Sequence, residues 1–252
     1  MKKVMLQRIN NLKLVGWRQF IEAFVNLAFP PACLHCNSGN PEGLLCKSCQ
    51  TLLNLLETSD RCPLCFSTMS SAKTRQICIG CSKTPSVFNG VAAAFDYAGP
   101  AATLMRKLKY SDSPYLAEGM SAYLVAQLIQ LKWPLPEVIV PVPITLTHLM
   151  QRGYNQSRLL ADGVAKLLQC PIKEALTRKM GDFSQAGLNK KQRMQLKGNH
   201  FQLKKEQALQ DKCILIIDDV MTTGSTLRHC ATSLLTECPS HIYALTVCKA
   251  LE

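Results

Sequence analysis

Cys33/Cys36, Cys46/Cys49, Cys62/Cys65 and Cys78/Cys81 form four Cys-x-x-Cys knuckles in one stretch, and this repetition constrains the fold more than any other feature. A two-residue gap lets both thiolates of a knuckle reach one ion, and two knuckles complete the tetrahedral sulfur coordination that Zn²⁺ prefers. Two structural zinc ions are therefore expected, with no coordination position left for a catalytic water. Consecutive pairing gives C-x2-C-x9-C-x2-C and C-x2-C-x12-C-x2-C. A cross-braced pairing of first with third knuckle satisfies the same chemistry, and the spacing does not choose between them. Redox dithiols are the competing reading, but four successive knuckles exceed what a thioredoxin-like motif requires. Cys170, Cys213, Cys230, Cys238 and Cys248 stand singly among apolar neighbours and are expected as small core residues.

At 252 residues the chain can hold one large domain, or a medium domain with a small appendage. A hydrophobic content of 47% excludes a disordered chain. Twenty-nine Lys and Arg against 17 Asp and Glu leave a net charge of +12. This charge favours anionic partners such as nucleic acid, phosphorylated metabolites or acidic membrane surfaces. The first thirty residues lack the apolar run and cleavage site of a secretory signal, and no stretch reaches the roughly 20 apolar residues of a membrane span. The expected setting is the cytoplasm, where thiols hold metal rather than form disulfides. Segment 14–29 places Val15, Phe20, Phe24 and Leu27 near helical spacing. Such a face packs on its own domain, or binds a partner or the inner face of the membrane.

Composition changes after Pro85, so a boundary is expected between an N-terminal helix with a double zinc-ribbon domain, 1–86, and a second domain, 87–252. In the second domain, 87–97 reads as a strand and 101–131 as two helices separated at Ser113-Pro114. A strand at Val138 to Val142, a helix from Asn155 to Leu168 and a short strand near Lys173 to Thr177 follow. Beyond a basic segment come an apolar strand at Cys213 to Ile217, a helix from Ser225 to Glu237 and a last strand near Ile242 to Val247. Strands alternating with helices predict an α/β fold with a parallel sheet, and the apolar run predicts a strand buried on both faces.

Chemistry concentrates at 213–226, CILIIDDVMTTGST. An apolar strand delivers Asp218 and Asp219 to the crevice beyond its carboxyl end, where open α/β sheets bind ligands. The hydroxyls of Thr222, Thr223, Ser225 and Thr226, with main-chain N–H groups at the helix start, form a phosphate cradle, and Gly224 allows close approach. The two carboxylates suit sugar hydroxyls. Phosphate at one end and diol at the other describe a ribose 5-phosphate. A helix cap with a turn residue is the plainer alternative, and an ATPase strand end is excluded because no G-x-x-x-x-G-K-[ST] partner exists.

This stretch resembles the phosphoribosyl-diphosphate motif of type I phosphoribosyltransferases. With the four knuckles and 138–161 (VIVPVPITLTHLMQRGYNQSRLLA), the chain is similar to the ComF family, which includes proteins of the ComFC and GntX type. The similarity extends to Phe29-Pro30, Tyr97, Lys109-Tyr110, Gln185, Leu188, Arg193, Asn199 and Phe201. It implies a type I phosphoribosyltransferase fold binding phosphoribosyl diphosphate with Mg²⁺, as a phosphoribosyltransferase whose acceptor the sequence does not name. Asp218 and Asp219 would hold the ribose hydroxyls and Thr222–Thr226 the 5-phosphate. Arg152, in the loop Pro143 to Arg152, would contact diphosphate. Family membership also implies natural competence, with single-stranded DNA and the competence helicase as partners; in that alternative the pocket is sensory or vestigial. Residues 177–205 carry eight basic side chains against Asp182 alone. They read as a hood that closes over the site, a nucleic-acid patch or a solvated face.

Overall fold

The computed structural model describes residues 32–39, 43–69, 77–178, 201–205 and 207–251. Segment 14–29, Phe29-Pro30 and the basic segment's residues 179–200, with Gln185, Leu188, Arg193 and Asn199, lie outside them. The chain divides into two compact units, Met1–Leu53 and Asn54–Glu252.

In the first unit the backbone tightens around Cys33, whose N–H donates to Ser38 O at 2.7 Å and whose carbonyl accepts from Asn37 N–H at 2.9 Å. A one-turn helix α1 (Lys47–Gln50) follows, with Cys46 at its N-cap. The second unit repeats the pattern: Cys62 N–H donates to Ser67 O at 3.0 Å, and Cys62 O accepts from Phe66 N–H at 2.8 Å. Cys78 caps helix α2 (Ile79–Ser82) by accepting from Cys81 N–H.

The remainder is an α/β layer. Strand β1 (Gly90–Asp96), helices α3 (Gly99–Tyr110) and α4 (Leu116–Leu131) and strand β2 (Val138–Pro141) come first. Helices α5 (Leu146–Arg152) and α6 (Gln156–Leu168) and strands β3 (Leu176–Arg178) and β4 (Phe201–Leu203) follow. Strand β5 (Cys213–Met221), helix α7 (Ser225–Leu234) and strand β6 (His241–Lys249) complete the described elements, with a 3-10 turn at Leu235–Glu237. Four strands form a parallel sheet in the order β1-β6-β5-β2. Ile214 to Ile217 are all but fully buried, as the unbroken apolar run requires of a central strand covered on both faces.

Both sheet edges are covered, which removes templates for stray pairing. Beside β2, Ile139 N–H donates to Pro171 O and Lys173 N–H to Ile139 O, each at 2.9 Å. Beside β1, Leu56 N–H donates to Ala94 O at 2.9 Å and Val91 N–H to Pro63 O at 3.0 Å. Helices α4 and α6 meet closely: a Cβ at Gly163 would strike Ser121, whose hydroxyl donates across the interface to Leu160 O at 3.0 Å.

The structure departs from the sequence expectation in four places. β5 runs four residues beyond Ile217, so both acids lie within the strand. Residues 146–152 form helix α5, capped by Thr145, rather than open loop. β3 pairs antiparallel with β4 in a separate two-stranded sheet. Cys213, Cys230 and Cys248 are core residues as expected, but Cys170 is only half-buried and Cys238 is exposed.

Candidate functional site

Strand alternation sends Asp218 and Asp219 to opposite faces of β5, and their partners differ accordingly. Asp218 is 9% exposed; its Oδ1 accepts from Ser157 Oγ at 2.7 Å and from Asp219 N–H at 2.9 Å. Ser157 is held in place because Asn155 caps α6, accepting from Ser157 N–H at 3.1 Å, while Asn155 Nδ2 donates to Val142 O at 3.0 Å at the end of β2. Burial, reinforced by the charge of Asp219, pushes the Asp218 carboxyl up to about 7, against the lowering effect of Ser157. Asp219 instead pairs with Lys109 at 3.0 Å, both side chains less than one-fifth exposed.

After Met221 the chain turns. Gly224 takes φ 71, in the left-handed region, and N-caps α7, a conformation that strains a residue with a side chain. Thr223 Oγ1 accepts from Ser225 N–H at 3.4 Å. Thr222, Thr223 and Ser225 are exposed, and Gly224 and Thr226 half-buried, so the turn offers hydroxyls and helix N-terminal N–H groups to solvent. A small cavity of about 90 Å³ adjoins Thr222, Thr223 and Gly224.

Arg152 ends α5. Its Nη1 donates to Gln156 Oε1 at 3.2 Å, and its guanidinium lies 5.0 Å from the centroid of the Tyr110 ring. Gln156 is 2% exposed, and its Nε2 has no partner among the described residues. Lys109, Tyr110, His148, Arg152 and Tyr154 border a cleft of about 660 Å³. Asp112 also lines the cleft, and Lys109 links it to Asp219 outside the lining, so two cations, aromatic rings and a carboxylate surround one space. Such a set can hold a polyanion beside a hydroxyl-bearing group.

The eight knuckle cysteines gather into two groups, Cys33/Cys36/Cys46/Cys49 and Cys62/Cys65/Cys78/Cys81, each with its sulfurs within 4.8 Å of one another. The pairing is therefore consecutive, not cross-braced. Cys36 and Cys46 Sγ lie 3.7 Å apart, as do Cys65 and Cys78 Sγ. A tetrahedron with metal–sulfur bonds of about 2.3 Å has an edge of about 3.8 Å, so both groups fit one ion. Burial pushes the Cys33 thiol up, but the backbone N–H groups of Cys36, Cys46 and His35 outweigh it and bring it down to about 6. Burial and the neighbouring thiols push Cys49 up to about 12. In the second group Cys62 falls to about 7, where backbone N–H groups overcome its burial, while burial and the other thiols raise Cys81. Thiols this close cannot all ionise unless a cation joins them.

No family model matches the chain. The DNA utilization protein YhgH of Escherichia coli K12 is 30% identical over 195 residues, covering 75% of this chain and 84% of that protein. The chain belongs to the ComF family. Competence protein F of Haemophilus influenzae is 28% identical to it over 205 residues, covering 78% of this chain and 87% of that one. Among solved structures, the allosteric regulatory enzyme of purine biosynthesis gives a TM-score of 0.37 at 17% identity, over 52% of this chain and 26% of that one. Hypoxanthine phosphoribosyltransferase from Trypanosoma cruzi with the product IMP gives 0.31 at 10% identity, over 55% and 66%. Likenesses of that size carry no further weight.

In this ComF-family chain the residues that hold the acids were not legible as partners. The sequence marks Ser157 only as a helix residue, and Lys109 only through the family resemblance. One signal was present: Asn155 at a helix start predicts a cap, and a cap fixes the side chain two residues on. No described helix is long and apolar enough to cross a membrane.

Proposed function

We propose that this chain is a phosphoribosyltransferase-like protein that binds phosphoribosyl diphosphate with Mg²⁺ and serves DNA utilization or competence, the roles named in its relatives. The observation that carries the reading is the junction of β5 and α7: acids within the strand, Gly224 left-handed, hydroxyls and helix N–H groups open beside them. In this reading residues 1–86 form the metal-binding part, with Zn²⁺ in both cysteine groups, and 87–252 the ligand-binding part. Thr222–Thr226 take the 5-phosphate and Asp219 the ribose hydroxyls, while Asp218, on the opposite face, supports the site from within the fold through its bonds to Ser157 and the Asp219 N–H.

Breaking the bond from ribose C1 to diphosphate builds positive charge on the ring and negative charge on the leaving group. Positioning and cationic neutralisation therefore supply the catalysis, and no protein nucleophile is needed. Lys109 and Arg152 face the cleft where that negative charge would form. Mg²⁺, when bound, adds charge neutralisation to the diphosphate; a carboxylate with ligand oxygens is the hard donor set it takes. Lys109 must leave Asp219 for the acid to accept a hydroxyl, and the cleft gives it an anion to move to.

The relatives' names, DNA utilization and competence, leave room for a second reading that we propose as the alternative: a cytoplasmic module that handles single-stranded DNA with the competence helicase, in which the pocket is sensory or vestigial. Basic residues beside β3 and β4 support this weakly, because Arg158 and Lys204 are both within reach of Glu174. Calorimetric titration with phosphoribosyl diphosphate and Mg²⁺ tests the first reading. Binding by the natural chain, abolished in Asp218→Ala/Asp219→Ala, is expected; undiminished affinity in the double variant defeats the assignment. Single-strand affinity that falls steeply with salt supports the second reading, and its absence removes it.

A further inference from the structure

The two cysteine groups differ in what lies behind them. In the second group, Cys65 is at once a member of the four-sulfur cluster and, with Leu64 and Ser67, part of the lining of the 90 Å³ cavity that Thr222, Thr223 and Gly224 also line. One residue thus separates a metal centre from the turn expected to cradle phosphate.

The knuckle is also anchored to the sheet that carries this turn. Segment 56–63 covers the edge of β1 away from β6 with backbone hydrogen bonds through Leu56 and Pro63. Arg61 reaches both carboxylate oxygens of Asp96 at 3.2 Å, and its guanidinium lies 5.1 Å from the centroid of the Phe66 ring. Cys62 and Phe66 are 0% and 2% exposed. On the far side, Met221 O accepts from Ala250 N–H at 2.8 Å, which fixes the start of the turn.

We propose that the second cysteine group is a structural wall of the anion cradle, so that metal held by Cys62, Cys65, Cys78 and Cys81 and phosphate held at Thr222–Thr226 stabilise one another. The first group belongs to the unit Met1–Leu53, and none of its cysteines lines this cavity. The inference deepens the phosphoribosyl diphosphate reading and rests on it for the ligand's identity. An ion with four thiolates carries net negative charge, which opposes an anion; Arg228 and Lys249 line the same cavity and offset it. Ordering is the favourable part, because removing the ion frees Cys65 and with it one side of the cavity. Linkage of this kind is reciprocal and typically spans about 5–150-fold in affinity.

The test uses the full chain and three variants: Cys62→Ser/Cys65→Ser, Cys33→Ser/Cys36→Ser, and Ser67→Phe, which narrows the cavity while keeping all eight ligands. Amide hydrogen exchange of residues 222–226 without ligand is read first. The second-group variant is expected to speed it at least tenfold, and the first-group variant to leave it within twofold. Calorimetry with phosphoribosyl diphosphate and Mg²⁺ follows: affinity should fall at least tenfold in the second-group variant and in Ser67→Phe, the latter with unchanged metal content, and hold in the first-group variant. Equal exchange at 222–226 in both cysteine variants overturns the linkage, as does unchanged exchange and affinity in Ser67→Phe. Absence of binding by the natural chain removes the ligand reading alone, since exchange still decides the linkage. If the second-group variant unfolds throughout, Ser67→Phe carries the decision.

Discussion

The cysteines at 33–49 and those at 62–81 repeat one ligand set in two different settings. Among the described residues of Met1–Leu53, Leu45 and Leu53 are the buried apolar side chains beside Cys33 and Cys49. Around the second group, Phe66 and Phe88 are buried in a unit whose sheet supplies Ile214 to Ile217. The same chemistry therefore does different work. Among the described residues of the first unit, a metal ion on the four cysteines would supply most of the folding free energy. In the second unit apolar burial holds the sheet, and an ion on the second cysteine group would fix one edge of it.

Stripping metal with a chelator should expose that difference most strongly. Structural zinc contributes about 10–16 kcal/mol in small metal-folded domains, so residues 43–53 should lose amide protection while β5 keeps it. Retained protection at 43–53 in metal-free protein breaks the comparison. The converse variant, Ile216→Ala, removes a fully buried side chain and should cost the sheet unit about 2–5 kcal/mol. Metal analysis should still find the first group loaded; loss of that metal contradicts the division.

Asp218 separates site from scaffold by pH. Burial, then the Asp219 charge, raises its folded-state pKa to about 7, well above the ordinary carboxylate range. The folded state then holds a proton that the unfolded chain releases earlier. This contribution is complete below about pH 4 and is lost as pH rises through about 7. Asp218→Asn should flatten the decline and stabilise the ligand-free protein by on the order of 3 kcal/mol at pH 8, seen in thermal melts across pH. An unchanged decline from pH 4 to 7 shows that another group causes it.

Two smaller changes sharpen the contrast. Asp96→Asn loosens the Arg61 contact, whose side chains are 10% and 32% exposed. It should cost about 1 kcal/mol and speed metal release from the second group alone, measured with a chromogenic chelator; equal acceleration at both groups contradicts its placement. Glu118→Gln removes a pair with Lys166 at 78% and 81% exposure. Its effect on melting should stay within about 0.5 kcal/mol.

What was legible in the sequence follows from how local each signal is. CILII, a continuous apolar run, marks a central strand without help from distant residues, and Asn155 marks a helix start by its own side chain. Cys-x-x-Cys spacing fixes which two sulfurs share a turn, but the partner knuckle depends on how the chain folds back, and only the structure chose consecutive pairing. The Lys109–Asp219 pair joins the last turn of α3 to β5 across most of the second unit, and no local pattern reports it. Helix α5 was hidden by its seven-residue length, too short for apolar periodicity to show. Position at the strand end marks Asp218 as a site residue; its burial against Ser157 comes from the packing of α6, which no local pattern reports.

A crystal structure of the full chain with phosphoribosyl diphosphate and Mg²⁺ tests the central claim most directly. A phosphate seated on the N–H groups and hydroxyls of 222–226, with Lys109 swung from Asp219 toward the diphosphate, is the outcome this account requires. A ligand lodged elsewhere, with the turn empty and the Lys109–Asp219 pair intact, contradicts it.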